Sequence, residues 1–269
     1  MSRLLLASWN VNSINVRLPQ VLDWLERSQA DALLLEETKT VDALFPHEAF
    51  AEAGFDAVFS GQRAYNGVAI VTRRATVAAP ESVETQLPGW PDAQRRYVSA
   101  SIRPLAPGAE PLRVACAYVP NGQAIGAQKY LYKLDWLGVL ARRMKALLAE
   151  EPRLVLGGDF NIVPAEADSW DPARWEGGIF CSAPERAALA RLFALGLEDS
   201  FRMFPQPAGT FSWWDYRQDG FERNRGLRID LMLVSRALRS AVRSASIDSA
   251  PRALPKPSDH APALLELEL

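Results

Sequence analysis

Short unbroken apolar runs separated by polar turns recur along most of the chain, and their spacing sets the elements. Leu4 to Trp9 predicts a buried strand. Pro19 to Arg27 predicts an amphipathic helix with Val21, Leu22 and Leu25 inward, opened by a proline whose missing N–H does little harm there. A second buried strand is predicted at Ala32 to Leu35, and further strands at Ala57–Ser60, Val68–Thr72, Val98–Arg103 and Leu112–Tyr118. A long helix from about Gln128 to Glu150 and a strand at Arg153–Leu156 follow. In the second half, Ser182-Ala183-Pro184-Glu185 has the form of a capping box and opens a helix running to about Leu195. Strands are predicted near Thr210–Trp214, Ile229–Val234 and Ala263–Leu269.

Two of these strands end alike. Leu4-Leu5-Leu6-Ala7-Ser8-Trp9-Asn10-Val11-Asn12 resembles Leu154-Val155-Leu156-Gly157-Gly158-Asp159-Phe160-Asn161, an apolar run closing on two polar side chains one residue apart. With a side-chain period of two, both polar groups of each end point the same way. The echo points to paired sheets whose strand tips meet at a shared cleft.

Composition narrows the setting. A chain of 269 residues with 48% hydrophobic content can bury a large core, enough for one large α/β domain or two small ones, and no Gly/Ser-rich or charge-run linker divides it. Cys116 and Cys181 are too few for a disulfide framework, which fits a reducing cytoplasm. The apolar stretch after Met1-Ser2-Arg3 is too short for a signal peptide or a membrane span, so a soluble protein is expected. The net charge of −2 and pI near 5.8 exclude a protein that coats nucleic acid by bulk charge, so any polyanion must meet a local patch. Paired arginines such as Arg73-Arg74, Arg95-Arg96 and Arg142-Arg143 suit phosphate oxygens and solvated faces equally well.

Candidate chemistry lies at the strand ends. Asn10 with Asn12, Glu37, Asp159 with Asn161, Asp230, and Asp259 with His260 each follow or precede an apolar run. The last pair sits in Lys256-Pro257-Ser258-Asp259-His260-Ala261-Pro262, which holds one of only two histidines and is clamped by prolines at the entry to a strand. Acid, amide and imidazole groups without a thiol suit Mg²⁺ or Mn²⁺, whereas zinc wants more histidine or cysteine. A Ser-His-Asp hydrolase is disfavoured by the lack of a G-x-S-x-G elbow, and the G-x-x-x-x-G-K-[ST] phosphate loop is also missing. His47, in Phe45-Pro46-His47-Glu48, reads as an exposed imidazole at a helix start.

These residues fall into nine ordered motifs: Trp9-Asn10-Val11-Asn12, Leu35-Glu36-Glu37-Thr38-Lys39, Gly67-Val68-Ala69-Ile70, Gln94-Arg95-Arg96, Tyr118-Val119-Pro120-Asn121-Gly122, Gly158-Asp159-Phe160-Asn161-Ile162, Trp213-Trp214-Asp215-Tyr216-Arg217, Gly226-Leu227-Arg228-Ile229-Asp230 and Ser258-Asp259-His260-Ala261-Pro262. Together they resemble the exonuclease III family of DNA-repair nucleases, within the endonuclease/exonuclease/phosphatase superfamily. The match runs from about residue 3 to the last strand.

The resemblance implies a single domain over residues 1–269, a DNase I-like four-layered α/β sandwich with two mixed sheets face to face and helices outside. It implies a Mg²⁺-dependent site, with Mn²⁺ as substitute, on a monomer acting on double-stranded DNA at abasic sites and 3′ ends. Carried over by motif, Glu37 is the principal metal ligand with Asn10, while Asp259 serves a second metal position and Asp159, Asn161 and His260 lie within the metal's reach. Asp159 would handle the proton of the attacking water or leaving oxygen, and Asn161 would orient the nucleophile or hold the transition-state oxygen. Asp230 would fix the His260 tautomer, and Tyr118 would hydrogen-bond the phosphate. Asn12, Asn66, Arg95, Asn121, Lys129, Lys133 and Arg217 are the expected backbone contacts, with Trp213 and Leu227 lining a pocket for a base-less sugar or terminal base.

The chain departs from the family mildly at Ser13, where many members carry glycine, and its segment from Asp168 to Gly178 falls where the family varies most. That loop, with Trp170 and Trp175, is a candidate gate between internal incision at abasic sites and trimming of 3′ ends. A small-molecule phosphoesterase of the same superfamily would share the metal site but not the tryptophan pair. A DNA-binding scaffold without turnover is disfavoured because each catalytic position holds a competent residue.

Overall fold

In the computed structural model, which describes residues 3–269, strand β1 (Arg3–Asn10) is buried on both faces. Leu4 and Leu6 point one way and Leu5, Ala7 and Trp9 the other, so this strand must lie in the middle of a stack. The following elements are α1 (Ile14–Ser28), β2 (Ala32–Glu36), α2 (His47–Glu52), β3 (Phe55–Ser60), β4 (Val68–Arg73), β5 (Glu81–Glu84), β6 (Tyr97–Ile102), β7 (Leu112–Ala117), α3 (Gln128–Glu150) and β8 (Leu154–Asp159). After these come α4 (Pro172–Trp175), α5 (Ala183–Ala194), β9 (Leu197–Asp199), β10 (Trp213–Trp214), β11 (Gly226–Leu227), β12 (Asp230–Ser235), β13 (Val242–Ile247) and β14 (Ala263–Glu268).

Two six-stranded mixed sheets result, ordered β13-β14-β1-β2-β4-β3 and β5-β6-β7-β8-β12-β9, beside a small β10-β11 ribbon. Leu4, Leu6, Leu34 and Ile70 of the first sheet meet Val114, Cys116, Val155 and Val234 of the second in a shared core. Trp9, Leu33 and Leu35 on the outer face of the first sheet pack on Val21, Trp24 and Leu25 of α1. Leu154 and Leu156 on the outer face of the second pack on Trp136, Leu140 and Met144 of α3 and Leu189 of α5. This is the expected four-layered sandwich.

Both sheets use one pairing pattern. In the first only β1–β2 is parallel and in the second only β7–β8 is, so β1 and β8 hold equivalent places, third from one edge. The sequence echo between their ends therefore has a structural counterpart. Gly158, at φ 149°, lets β8 close on β7, since a Cβ there would stand 2.0 Å from the Ala117 carbonyl oxygen.

Three expectations are corrected. The first helix begins at Ile14 and carries Pro19 inside it, because the backbone turns at Asn12 and Ser13 with positive φ and Ile14 N–H donates to Thr38 O. Proline in its second turn removes only the donor that would face Asn15. The strand at Thr210–Trp214 shrinks to Trp213–Trp214 and pairs with Gly226–Leu227 outside the main sheets. Arg153 precedes β8, which runs on through Asp159. Among the described residues, no helix is long and apolar enough to cross a membrane.

Candidate active site

The tips of β1 and β8 meet across the seam between the sheets. Buried Asn10 donates its Nδ2 to Asp159 Oδ2 at 3.0 Å and to Glu37 Oε1 at 3.0 Å, so its amide nitrogen, not its oxygen, faces the two carboxylates. Its Oδ1 is already used, accepting from Asn12 N–H at 3.1 Å. Glu37 follows β2 at φ 51° and also accepts from the Tyr118 hydroxyl at 2.7 Å. Asp159 Oδ1 accepts from Asn161 N–H at 2.9 Å, and its Oδ2 accepts from Asn161 Nδ2 at 3.1 Å. Asn161 in turn sits at φ 49° and takes a bond from Asn121 Nδ2 on its Oδ1 at 3.3 Å. Such sparsely populated backbone at Asn12, Glu37 and Asn161 aims side chains that a regular strand would turn away.

His260 completes the group from the far end of the chain. Its Nδ1–H donates to Asp230 at 2.9 and 3.1 Å, fixing the tautomer, and its Nε2 stands 3.7 Å from Asp159 Oδ2. Asp230 opens β12, paired in register with Asp159 of β8. Burial alone would strip the proton from His260, but Asp230 and then Asp159 outweigh it and hold the imidazole well above its usual range. Burial pushes the Asp159 carboxyl up to about 7 against the pull of His260. Glu37 goes the other way: desolvation opposes its charge, yet the Lys39 ammonium and the Asn10 amide bring it below the ordinary carboxylate range. Burial, then the charge of Glu37, raises the Tyr118 phenol well above normal, so it stays a proton donor.

Ligand-type atoms of Asp159, Asp230 and His260 lie within 4.8 Å of one another and are able to hold a metal. A protonated His260 already bonded to Asp230 is a poor ligand, however, and Glu37 offers an ionised carboxylate on the other side of Asn10 whose Oε2 faces only the Lys39 ammonium at 2.8 Å. The oxygen-rich set of Glu37 and Asp159 suits a hard divalent ion.

The remaining expected contacts scatter over the rim. Asp259 is half-buried, accepting from Asn12 Nδ2 and from Trp213 Nε1, both at 3.0 Å. Asn66 is buried at φ 54° and bonds Gln62, while its carbonyl takes the Lys39 N–H. Arg95 lies beside it, its carbonyl accepting from Gly67 N–H. Asn121 and Lys129 are exposed. Arg217 is exposed and paired with Asp215.

Lys133 is the exception. It is fully buried, donating to Glu185 Oε1 at 2.5 Å, to Asn161 O at 2.7 Å and to Asn121 O at 3.3 Å. It cannot reach a phosphate in solvent, because its place in α3 turns it onto the capping box of α5, where Glu185 also bonds Ser182. The expectation of a phosphate contact there is withdrawn.

Trp213 is half-buried at the mouth of a cleft of about 370 Å³ that is also lined by Trp170, Trp175, Arg174, Arg217 and Arg225. Leu227, its register partner, is fully buried behind it, and Trp214 belongs to the core. His47 is exposed at the start of α2, and both cysteines are buried and free.

Several residues that shape the site carry no role in the motif reading, although Glu36, Lys39 and Arg228 lie within its motifs. Lys39 reaches Glu37 Oε2 at 2.8 Å and Asn12 Oδ1 at 2.5 Å, which a period of two from Glu37 would have flagged. Arg17 of α1 holds the Pro257 carbonyl at 2.9 Å and thereby the Asp259-His260 turn. Fully buried Arg228 pairs with Asp168 at 2.6 Å and Asp199 at 2.7 Å, tying the 168–178 loop to the strand that carries Asp230. Glu36 lies sealed beneath the site, accepting from Ser8 Oγ at 2.8 Å and Cys116 Sγ at 3.2 Å, with its second oxygen unpartnered.

Comparison with known proteins follows the same lines. The sequence profile of the Endonuclease/Exonuclease/phosphatase family matches residues 7–260. The chain is 34% identical to the exodeoxyribonuclease III of Haemophilus influenzae, over 97% of this chain and 98% of that protein. It superposes on a 3′ phosphatase from Neisseria bound to a product DNA hairpin with TM-score 0.93 and 40% identity, covering 99% of this chain and 100% of the other. An AP endonuclease from Archaeoglobus fulgidus matches with TM-score 0.90 and 31% identity over 99% and 100% of the two chains.

Proposed function

The chain belongs to the endonuclease/exonuclease/phosphatase family, in its exonuclease III branch, and on that premise we propose that it is a divalent-metal-dependent DNA-repair phosphodiesterase. Its substrates are double-stranded DNA at abasic sites and at blocked or normal 3′ ends. The observation that carries this reading is the meeting of Asn10, Glu37, Asp159, Asp230 and His260, drawn from distant parts of the chain, at one seam between two sheets.

Glu37 and Asp159 would hold Mg²⁺, or Mn²⁺ in its place, and the ion when bound would supply positive charge that offsets the charge developing on the phosphate. Asn10 contributes by fixing both carboxylates through its amide nitrogen. Ionised Asp159 accepts the proton of the attacking water, which Asn161 orients, and that proton passes to the sugar oxygen that leaves as its bond to phosphorus breaks. Protonated His260, steadied by Asp230, donates its Nε2–H to the scissile phosphate, and the Tyr118 hydroxyl donates to it as well. Asn12, Asn66, Arg95, Asn121, Lys129 and Arg217 follow the DNA backbone, while Trp213 over Leu227 forms the wall against which the sugar or terminal base packs. Asp259 orders the Trp213 and Asn12 side chains and remains the candidate for a second ion.

A specialised 3′-end trimmer is the second reading, favoured by the two tryptophans of the 168–178 loop that close the cleft beside Trp213. We place the protein in the cytoplasm as a one-domain monomer, in keeping with two buried free thiols. The test is one assay with Mg²⁺ or with chelator, on duplexes bearing an internal abasic analogue, a 3′-phosphate or an undamaged 3′ end, and on an inositol phosphate. Metal-dependent cleavage 5′ to the abasic analogue is expected. Release of 3′ groups alone selects the trimmer, and turnover of the inositol phosphate alone overturns the reading.

A further inference from the structure

Lys39 occupies a place that no step above uses. Residues 37 and 39 both take a left-handed backbone, at φ 51° and 53°, so their side chains turn into the same cleft. The strap between them is rigid: Thr38 N–H bonds Gly67 O at 3.1 Å and Lys39 N–H bonds Asn66 O at 2.9 Å. The Lys39 ammonium lies 2.8 Å from Glu37 Oε2, the carboxylate oxygen that neither Asn10 nor Tyr118 engages. It also touches Asn12 Oδ1, whose amide nitrogen leads on to Asp259. A compact charge of +1 thus sits on the one Glu37 oxygen that neither the Asn10 amide nor the Tyr118 hydroxyl occupies.

We propose that Lys39 is a built-in stand-in for the divalent ion: its ammonium neutralises Glu37 while the site is empty and is driven off when the metal binds. A divalent ion on that oxygen would stand beside the ammonium, and the repulsion between charges of +2 and +1 at such short range favours withdrawal of the more flexible partner, the ammonium. The flexible four-carbon stem lets it swing without backbone change, and the rim it swings toward is the Asn66–Gly67 segment to which its own backbone is pinned. There it meets a DNA phosphate. Metal loading and phosphate capture are thereby coupled through a single side chain, and the empty enzyme avoids an uncompensated acidic cluster.

This inference rests on Glu37 being the principal metal-holding carboxylate, and two measurements that need no turnover test it. First, amine labelling followed by mass spectrometry reads each of the five lysines separately. Lys39 should label severalfold faster when Mg²⁺ is added to the DNA-free protein and be protected again when duplex is added. Second, Mn²⁺ titration by calorimetry should show Lys39→Met binding on the order of tenfold tighter than the parent protein, as expected when a competing ion pair of about that strength is deleted. Lys39→Gln serves as the second variant should the first fold poorly. Unchanged labelling, or Mn²⁺ affinity equal to or below the parent's, overturns the proposal. Glu37→Gln separates this failure from that of the site itself: if it binds Mn²⁺ as tightly as the parent protein, the metal assignment falls and Lys39 with it.

Discussion

Asn10 Nδ2 stands 3.0 Å from Asp159 Oδ2, a single amide joining the equivalent central strands of two sheets. Because the same nitrogen holds Glu37, truncating it leaves two buried or half-buried carboxylates without their shared donor. Asn10→Ala should lower kcat about 10- to 100-fold, the usual cost of losing a group that orients metal ligands, and weaken Mn²⁺ binding in a titration of the DNA-free protein. Parent-level values in both would detach Asn10 from the site.

The raised Asp159 carboxyl, at about 7, sets a pH dependence. The group must shed its proton before it takes a divalent ion, so the Mn²⁺ affinity of the DNA-free protein should climb as pH rises through the neighbourhood of 7 and level off above it. Asp159→Asn should flatten that dependence and cut kcat on the order of 10²–10⁴-fold. A variant whose Mn²⁺ affinity still tracks the parent's pH dependence would assign the titrating group elsewhere.

Lys133 acts on the site from inside the protein. Lys133→Met strands Glu185 in the core and should cost about 3–5 kcal/mol in urea unfolding. Pairing it with Glu185→Gln should restore most of the stability but not kcat, because the Asn161 and Asn121 carbonyls still lack their donor. Full recovery of both would make the pair purely structural.

Glu36 offers a stability test that is independent of catalysis. Burial, and next the charge of Asp230, raise its carboxyl well above 4.5. Below that value the group is protonated whether the chain is folded or not, and it costs nothing. Above it the unfolded chain ionises while the folded site keeps its proton, so stability is lost progressively until the folded pKa is passed. Glu36→Gln removes that loss, and its advantage over the parent protein should grow between pH 5 and pH 8 in chemical denaturation. A pH-independent difference would mean the carboxylate is charged in place.

Ser13 sits at φ 93° and ψ 107°, a conformation glycine adopts without strain, and its side chain caps nothing. Ser13→Gly should stabilise the protein by about 1 kcal/mol, the relieved strain exceeding the added chain entropy. A lower melting temperature would show that the hydroxyl is used.

The central strands, α3 and the capped start of α5 were legible because each carries an unbroken apolar run or a cap with a physical signature. The edge strands β5, β9 and β13 were not, being short or half-polar, with pairing supplied by their neighbours rather than by their own pattern. Pro19 was misleading for a related reason: local propensity put it at a helix start, while the Glu37-Thr38-Lys39 strap captures Ile14 N–H and starts the helix earlier. In the site, the carboxylates and His260 announced themselves as polar groups at apolar strand ends. Lys133 did not, since a lysine on a helix reads as solvated until its face is known to carry a buried acid.

The bare α-carbon of Gly158 has an effect beyond backbone freedom. Ala117 lies across that contact and leads directly into Tyr118, while Gly158 itself leads into the buried Asp159. A methyl group at 158 would act as a shim between β7 and β8. Backbone cannot yield cheaply at that distance, so an alanine there is expected to loosen the second sheet and lower stability together with the spacing of Tyr118 from Asp159.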